Sequence, residues 1–272
     1  MPKPNIFSAV RYADAPSAIS FLVEAFGFTR HEVHAAPDGT IVHAELRLGT
    51  GVLMLGSATP PTPANPWSAV AAGIYAALAT PADVDAHHAR AVLAGAEVAR
   101  PLETTSYGSR EYSARDFEGH LWSFGTYNPS PEGAPDFFTG LRYDDGRRAI
   151  DWLERAFGFT PHLVIAGPDG AIAHAELALG PGFVMLGSAP DDAVTNPWSG
   201  ARQGTCVALG SPAAVDAHHA RATAAGARVV GALGDTPYGA RSYTALDSGG
   251  HLWTFSTYRP EPKPGAARRE VG

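Results

Sequence analysis

The sequence lacks the features of extracellular and membrane-bound proteins. It holds one cysteine, Cys206, in 272 residues, so neither an internal disulfide nor a cysteine-rich zinc cluster can form. The N-terminal segment has no apolar run typical of a signal peptide. Glycine, proline or charge interrupts every apolar stretch before it reaches the roughly 18 residues of a membrane span. We therefore expect a cytoplasmic protein that does not enter a membrane.

Basic charge is also scarce. Twenty Lys and Arg residues stand against 27 Asp and Glu residues, for a net charge of -7, and no basic run is longer than a pair, such as Arg268-Arg269 near the C-terminus. Nucleic acid is therefore not an expected partner. The apolar share of 45% and the charged share of 17% are typical of a globular protein with ordinary hydrophobic cores.

The chain contains one long internal repeat. Several motifs recur with the same offset of 131 residues: Phe26-Gly27-Phe28-Thr29 at 157–160, His43-Ala44-Glu45-Leu46 at 174–177, Asn65-Pro66-Trp67-Ser68 at 196–199, and Gly119-His120-Leu121-Trp122 at 250–253. Such self-similarity predicts two halves of like fold. We place the first domain at 1–128, a Pro-rich linker at 129–137, the second domain at 138–260 and a disordered tail at 261–272.

Each half is predicted to contain two βαβββ units. In the first unit, Ile19, Leu22, Val23 and Phe26 form one apolar helical stripe, and Gly27 ends the helix. Strand-like runs separated by glycine-containing turns follow this helix. The order then repeats, with a second helix that begins at Thr80-Pro81.

The sequences at 18–28 (AISFLVEAFGF), 85–96 (DAHHARAVLAGA) and 116–122 (DFEGHLW), together with the paired βαβββ units, resemble the vicinal oxygen chelate superfamily. This superfamily includes glyoxalase I, extradiol dioxygenases, fosfomycin-resistance enzymes and bleomycin-binding proteins. The resemblance implies an α+β fold of two tandem glyoxalase-like domains. Each would have two βαβββ units in a curved mixed sheet, with helices on the outer face and a ligand on the concave face.

The resemblance also implies where a metal would lie in the enzymes of the family. Its ligand positions fall, within about a residue, on Phe7, Met54, Ala76 and Ser123, and in the second half on Phe138, Met185, Val207 and Thr254. None of these side chains suits a hard divalent cation. We therefore expect no metal and no cofactor, and a largely apolar cavity that includes Met54 and Met185.

The strongest polar pattern is His43-x-Glu45 with its repeat His174-x-Glu176. Side chains two apart on a strand share a face, and we predict that these pairs face the cavity. They could hold a ligand by hydrogen bonds, act as an acid and base, or supply half of a metal site shared between domains. Alternatively, they form cross-strand hydrogen bonds without a ligand.

Two further groups are candidates for the rim of the cavity. Tyr107 and Arg110, with Tyr238 and Arg241 in the second half, begin a late strand after a long loop. Tyr107 could cover a ligand ring, and Arg110 could bind a carboxylate or phosphate. The alternative for Arg110 is a surface ion pair with Asp116.

The tryptophans are predicted to have two different roles. Trp67 and Trp198, each in an Asn-Pro-Trp-Ser loop, either cover the cavity or fix the loop to the other domain. Trp122 and Trp253 lie on the opposite face of the last strand and are expected in the core. His87 is expected to pack, structurally, against the sheet.

Two functions remain open from the sequence. The first is a metal-free small-molecule-binding protein, for example for an aromatic natural product or antibiotic. The second is a glyoxalase-like lyase or isomerase that uses His43, Glu45, His174 and Glu176. A purely structural or interaction module is a third alternative. We expect the fused halves to form a pseudo-twofold pair, for which a monomer suffices, although a homodimer is compatible with the sequence.

Overall fold

The computed structural model describes residues 4–60, 72–129, 137–189 and 204–260. Each half contains two βαβββ units. In the first half the elements are β1 (Ile6–Tyr12), α1 (Ala15–Phe26), β2 (Thr29–Ala35), β3 (Ile41–Leu48), β4 (Gly51–Ser57), β5 (Gly73–Ala77), α2 (Pro81–Leu93), β6 (Glu97–Thr104), β7 (Arg110–Arg115) and β8 (Leu121–Gly125). In the second half they are β9 (Phe137–Tyr143), α3 (Gly146–Phe157), β10 (Thr160–Ala166), β11 (Ile172–Leu179), β12 (Gly182–Ser188), β13 (Gly204–Ala208), α4 (Pro212–Ala224), β14 (Arg228–Asp235), β15 (Arg241–Leu246) and β16 (Leu252–Ser256).

The strands form two eight-stranded mixed sheets. Sheet I has the order β14-β15-β16-β13-β1-β4-β3-β2, and sheet II has the order β10-β11-β12-β9-β5-β8-β7-β6. The predicted α+β class, with two βαβββ units in each sheet, is confirmed. The units do not combine within a half, however, because the first unit shares a sheet with the fourth and the second with the third.

The two sheets are joined across the halves by equivalent strand pairs. The pair β1 and β13 and the pair β9 and β5 are both antiparallel. Phe7 lies opposite Cys206 in sheet I, and its repeat counterpart Phe138 lies opposite Tyr75 in sheet II. The hydroxyls of Ser8 and Thr139, 131 residues apart, form a buried hydrogen bond of 3.0 Å. The contact between these equivalent residues indicates an approximate twofold relation between the halves.

Each half nevertheless has its own hydrophobic core. Helices α1 and α2 pack on each other, with α1 against β1 to β4 of sheet I and α2 against β6 to β8 of sheet II. The second half repeats this arrangement around α3 and α4. Trp122 and Trp253 are fully buried in these cores, as expected. Apolar burial therefore defines the halves, whereas backbone hydrogen bonds join them.

The helix ends follow from local sequence. The Asp14 carboxylate accepts a hydrogen bond from the Ser17 amide at 3.1 Å and caps α1. Gly27 follows α1 with φ of 70°, and a Cβ there would come 2.3 Å from the Arg90 guanidinium. A glycine is thus required both for the left-handed conformation and for the close approach of Arg90. Within the described ranges, no helix is long and apolar enough to cross a membrane.

A buried histidine links the two helices of each half to the sheet. His87 Nε2 donates to the Phe26 carbonyl at 3.0 Å, so Nδ1 accepts from the Tyr112 hydroxyl at 2.6 Å. Burial lowers the pKa of His87 to about 4, and that of its counterpart His218 to about 4 as well. Both histidines are therefore neutral, structural groups at pH 7, in agreement with the sequence-based expectation for His87.

Candidate functional site

Helices cover one face of each sheet, and we call the other face helix-free. The helix-free face of sheet II bounds a cavity of about 490 Å³. Its walls come from both halves of the chain. Tyr75, Arg100, Tyr107, Glu111 and Tyr127 contribute from the first half, and Arg142, Leu163, Ile165, His174 and Met185 from the second. A volume of several hundred Å³, with apolar walls and a few polar groups, is typical of a small-molecule site.

Glu176 lies behind the wall of this cavity, since its neighbours Tyr127, His174 and Met185 are lining residues. Strand β11 places His174 and Glu176 on the same face, with Met185 of β12 directly opposite Glu176. The Oε1 atom of Glu176 accepts hydrogen bonds from His174 Nε2, at 3.1 Å, and from the Tyr127 hydroxyl. The described part of the chain gives Oε2 no hydrogen bond, which leaves this oxygen able to accept one from a ligand.

Glu176 remains ionised although only 1% of it is exposed. Burial alone would raise the pKa of its carboxyl. The hydrogen bonds from His174 and Tyr127 and the charge interactions with His174 and His162 outweigh burial, so the pKa of Glu176 lies below its ordinary value. The site therefore presents a buried, oriented carboxylate.

A second polar cluster lies across the same cavity. Arg100 Nη2 and Glu111 Oε1 form an ion pair of 2.8 Å, and the Tyr107 hydroxyl donates to the same Glu111 oxygen. Burial, followed by the hydrogen bond to the Glu111 carboxylate, raises the pKa of Tyr107 to about 12. The Tyr107 ring meets the Tyr127 ring edge-on at 6.2 Å. Two tyrosines thus connect the two buried carboxylates along one wall.

Sheet I repeats the central cluster. Glu45 is 1% exposed, and its Oε1 accepts from His43 Nε2, at 3.2 Å, and from the Tyr258 hydroxyl. Burial raises the pKa of Glu45, but the hydrogen bonds from His43 and Tyr258 and the nearby histidine charges lower it to a greater extent. The pKa of Glu45 is therefore lowered, as is that of Glu176.

The surroundings of the two clusters differ. On the β2 and β3 side, sheet I has Glu32, His34 and Arg47 where sheet II has Leu163, Ile165 and Ala178. On the opposite side, sheet I has Cys206, Gly231 and Ser242 where sheet II has Tyr75, Arg100 and Glu111. The histidine and carboxylate of β2 bond each other, with His34 Nε2 3.0 Å from Glu32 Oε1. On the β2 and β3 side, sheet I is therefore polar where sheet II is apolar. On the opposite side, sheet II is the more polar of the two.

The structure brings most of the predicted site residues to the two helix-free faces. His43, Glu45 and Met54 lie together on sheet I, and their counterparts His174, Glu176 and Met185 lie together on sheet II. Tyr107 and Tyr238 each stand over a neighbouring tyrosine, Tyr127 and Tyr258 respectively. Trp67 and Trp198 lie outside the described residues.

Arg110 and Arg241 do not reach the cavity. Arg110 Nε bonds Asp85 of α2 at 2.7 Å, and Arg241 Nε bonds Asp216 of α4 at 2.8 Å. The expected partner Asp116 instead accepts from Tyr12 and Trp122 in the core. Both guanidinium groups therefore lie on the helix side of their sheets, and these contacts give no support to the expectation that Arg110 and Arg241 bind a ligand.

On the fifth strand of each half, the residue on the helix-free face lies one position before the one that the resemblance implied, within the stated margin of about a residue. Ala76 and Val207 are buried in the helix-facing cores. The residues of these strands that lie on the helix-free faces are Tyr75 and Cys206, which pack with Phe138 and Phe7 respectively. The alternation of a strand makes such a shift consequential, since it moves the side chain to the other face.

Tyr127 and Tyr258 are site residues that sequence reasoning missed, as it missed Arg100 and Glu111. Each tyrosine belongs to one half and donates to the glutamate of the other half, Tyr127 to Glu176 and Tyr258 to Glu45. The repeat offered one signal, because Thr126-Tyr127 recurs as Thr257-Tyr258 just after the last strand. Their partners could not be found without the tertiary structure.

The donor set does not fit the metal that the enzymes of this fold family hold. On the relevant strands of sheet II stand Phe138, Met185, Tyr75 and Ser123, and the nearby carboxylate of Glu176 is engaged by His174 and Tyr127. Hard cations need several carboxylates or imidazoles that converge on one point. The described residues contain no group of three or more His, Cys, Asp or Glu side chains arranged in this way.

Comparison with known proteins agrees with this architecture. A model of the Glyoxalase/Bleomycin resistance protein/Dioxygenase superfamily matches residues 7–124 and 137–255. The chain belongs to this superfamily. An uncharacterised protein of Mycobacterium bovis is 37% identical over 116 residues, which span 41% of this chain and 76% of that protein.

Two solved structures extend the comparison of this superfamily member. Glyoxalase I from Zea mays has a TM-score of 0.68 at 17% identity and covers 94% of this chain and 92% of its own, which shows a shared fold. TioX from Micromonospora sp. ML1 is 38% identical, covers 45% of this chain and 97% of its own, and has a TM-score of 0.39.

Proposed function

We propose that this superfamily member is a metal-free, cytoplasmic small-molecule-binding protein whose ligand lies in the cavity of sheet II. The observation that carries the proposal is the ionised Glu176, which is buried and oriented by two donors next to a cavity of about 490 Å³. A buried carboxylate with one free oxygen stabilises a bound N–H or O–H donor strongly, because the interaction is charge-assisted.

The walls favour a planar, apolar ligand. Leu163, Ile165 and Met185 offer aliphatic surface, while Tyr107 and Tyr127 offer aromatic rings on the other side. An aromatic ring between them gains apolar burial and edge or face contacts with the tyrosines. An aromatic natural product or antibiotic with an N–H or O–H group has this chemistry. We expect no nucleic acid partner and a monomer in solution.

Glutamine substitution at the two glutamates tests the proposal. A library of planar aromatic compounds is screened by thermal shift, and the affinities of the hits are measured by calorimetry. We expect Glu176→Gln to weaken the hits at least about tenfold, since it removes a charge-assisted hydrogen bond. Glu45→Gln, the matched control on sheet I, should leave their affinities within about twofold. Equal affinities for wild type and Glu176→Gln would reject the proposed site.

A glyoxalase-like lyase or isomerase is the second candidate. The free oxygen of an ionised Glu176 can accept a proton from a bound carbon acid, and Tyr127 and His174 hold the carboxylate in place. Incubation of each hit with the protein, followed by mass spectrometry and NMR, distinguishes the two functions. Conversion that is lost in Glu176→Gln supports the enzyme, and recovery of unchanged ligand supports the binding protein.

Metal content is a separate test. We expect purified protein to contain well under one equivalent of Zn, Ni, Fe or Mn per chain, and to lack glutathione-hemithioacetal isomerase activity. Elemental analysis after dialysis measures the first. About one metal ion per domain, with activity that a chelator removes, would contradict the metal-free proposal.

A further inference from the structure

We propose that Tyr75 and Glu111 form a second anchor in the cavity of sheet II, the amide anchor, which makes aromatic amides the ligand class. This inference rests on the proposed function and adds to it. Glu176 would accept a hydrogen bond from an N–H or O–H group at one end of the ligand. At the other end, Tyr75 would donate to the amide carbonyl and Glu111 would accept from the amide N–H.

The Tyr75 hydroxyl is a buried donor. Tyr75 lines the cavity and is only 6% exposed. Within the described residues its oxygen has no hydrogen-bond partner, and the nearby Ser109 hydroxyl accepts from the Tyr127 amide at 3.1 Å instead. Burial raises the pKa of Tyr75, so the hydroxyl keeps its proton at pH 7. Since an unsatisfied buried hydroxyl costs free energy, a ligand carbonyl at this point would be stabilising.

Glu111 offers an acceptor on the same wall. Its Oε1 atom is held by Arg100 Nη2, at 2.8 Å, and by the Tyr107 hydroxyl. In the part of the chain that the structure describes, Oε2 has no hydrogen bond. Arg100 and Tyr107 thus orient the carboxylate so that one oxygen is engaged and the other can accept from a ligand.

Gly125 brings these two polar atoms to one place. It lies on β8, opposite Glu111 of β7. A Cβ at Gly125 would come 2.5 Å from the Tyr75 hydroxyl and 3.0 Å from Glu111 Oε2. Both atoms therefore lie close to the same point, and only glycine leaves room for them. A donor and an acceptor side by side match the adjacent C=O and N–H of an amide.

The amide anchor is buried, so a ligand must displace a side chain to reach it. Tyr107 suits this role, because its hydroxyl bonds Glu111 while 64% of the residue is exposed. A side chain with this exposure can turn away without unpacking a core. The ligand N–H would then bond the carboxylate that Tyr107 covers.

Sheet I lacks the amide anchor and the residues that support it. The repeat counterparts of Tyr75, Arg100, Glu111 and Gly125 are Cys206, Gly231, Ser242 and Ser256. The Glu–His–Tyr cluster, by contrast, is present in both sheets. All four positions differ together, which is the pattern expected of residues that serve one function in sheet II.

The two anchors lie on different parts of the sheet. The strand order β11-β12-β9-β5-β8-β7 places Glu176 of β11 and Glu111 of β7 on either side of the central strands β9 and β5. The geometry therefore points to a planar aromatic ligand with an amide at one end and a further N–H or O–H group at the other.

Three naphthols that differ in one substituent test the inference. 6-Hydroxynaphthalene-2-carboxamide has both C=O and N–H, 6-acetyl-2-naphthol has only C=O, and 2-naphthol has neither. All three carry a hydroxyl for Glu176. Calorimetry should show that wild type binds the carboxamide at least about tenfold more tightly than 2-naphthol, with the ketone between them.

Variants of the two anchor residues should separate the three compounds. Tyr75→Phe should weaken the carboxamide and the ketone about fivefold each and leave 2-naphthol within about twofold. Glu111→Gln should reduce the affinity of the carboxamide to that of the ketone and leave the ketone within about twofold. Cys206→Ala and Ser242→Ala, at the same positions of sheet I, should change no affinity by more than about twofold.

The stability of the free protein distinguishes a ligand contact from a structural role. Tyr75→Phe removes a hydroxyl without a partner among the described residues, so its free energy of unfolding in urea should equal or exceed that of wild type. A clear loss would mean that the hydroxyl is bonded within the protein, which overturns the inference. Gly125→Ala should displace the Tyr75 hydroxyl and reduce the preference for the carboxamide. Near-ultraviolet circular dichroism confirms that each variant is folded.

Failure of the inference and failure of the proposed function are distinguishable. If Glu176→Gln weakens all three naphthols but Tyr75→Phe and Glu111→Gln change nothing, the amide anchor is overturned and the proposed function stands. If Tyr75→Phe and Glu111→Gln act as expected and Glu176→Gln has no effect, the proposed role of Glu176 fails and the amide anchor stands. If no naphthol binds saturably, the amide anchor is overturned, and the library screen with Glu176→Gln still decides the proposed function.

Discussion

The helix-free faces of the two sheets share a Glu–His–Tyr cluster and differ in the side chains around it. Glu45 and Glu176 have equivalent histidine and tyrosine partners, the same burial and the same direction of pKa change. Around them, Leu163 and Ile165 of sheet II correspond to Glu32 and His34 of sheet I. The common cluster thus lies in two chemically different environments.

From this difference we predict that the two faces do not bind the same ligand. An apolar ring gains little next to charged Glu32, because the carboxylate loses hydration when the ring covers it. The same ring gains contact area next to Leu163 and Ile165. The helix-facing cores, by contrast, repeat the same aromatic residues. Four predictions test where the halves are alike and where they differ.

The largest effect is expected in the cores, where the halves should behave alike. Trp122→Ala and Trp253→Ala each remove a fully buried ring and leave the carboxylate of Asp116 or Asp247 without its indole donor. We expect each variant to lose about 3–5 kcal/mol in free energy of unfolding. Urea titration measures the loss. A loss below 1 kcal/mol in one variant would contradict the equivalence of the cores.

The next effect is a pH dependence shared by the halves. The pKa values of His87 and His218 are about 4 in the folded protein, against about 6.5 when unfolded. The unfolded chain therefore binds protons first as pH falls, and the folded state should lose roughly 3 kcal/mol per histidine between pH 6.5 and pH 4. Denaturant titrations across this range should show a reduced slope in His87→Gln and in His218→Gln. An unchanged slope in both would refute this origin of the pH dependence.

An exchange of side chains between the faces gives an intermediate effect. Leu163→Glu with Ile165→His gives sheet II the residues of sheet I, and we expect about tenfold weaker binding of N-phenyl-1-naphthylamine, a neutral aromatic fluorescent probe. Glu32→Leu with His34→Ile is the reverse exchange and should create weak binding of this probe on sheet I. If neither exchange changes the affinity, these side chains do not distinguish the two faces.

The smallest effect is expected at the ion-paired arginines on the helix side of the sheets. Arg110→Ala and Arg241→Ala break ion pairs with Asp85 and Asp216 on the helix side of each sheet. Exposed ion pairs contribute little to stability, and neither arginine reaches the cavity. Ligand affinity should stay within about twofold in both variants. A tenfold loss in Arg110→Ala would place this residue at the ligand after all.

Much of the fold could be predicted from local patterns. The apolar stripe from Ile19 to Phe26 and the αL glycine after it predicted α1, which spans Ala15–Phe26. Alternation along β3 predicted that His43 and Glu45 share a face, and they are hydrogen-bonded there. Arg110 shows the limit of such reasoning. Its position at the start of a strand did not determine whether its long side chain would turn to the cavity or to Asp85 on α2.

The sequence by itself determined the repeat, the βαβββ order and the side of each strand on which the glutamates lie, because these depend on spacing along the chain. The tertiary structure alone decided which units share a sheet and which tyrosine reaches which glutamate. Tyr127 and Glu176 are 49 residues apart and Tyr258 and Glu45 are 213 apart, yet the contacts are equivalent. Such contacts depend on how the two halves pair in space, which no local pattern specifies.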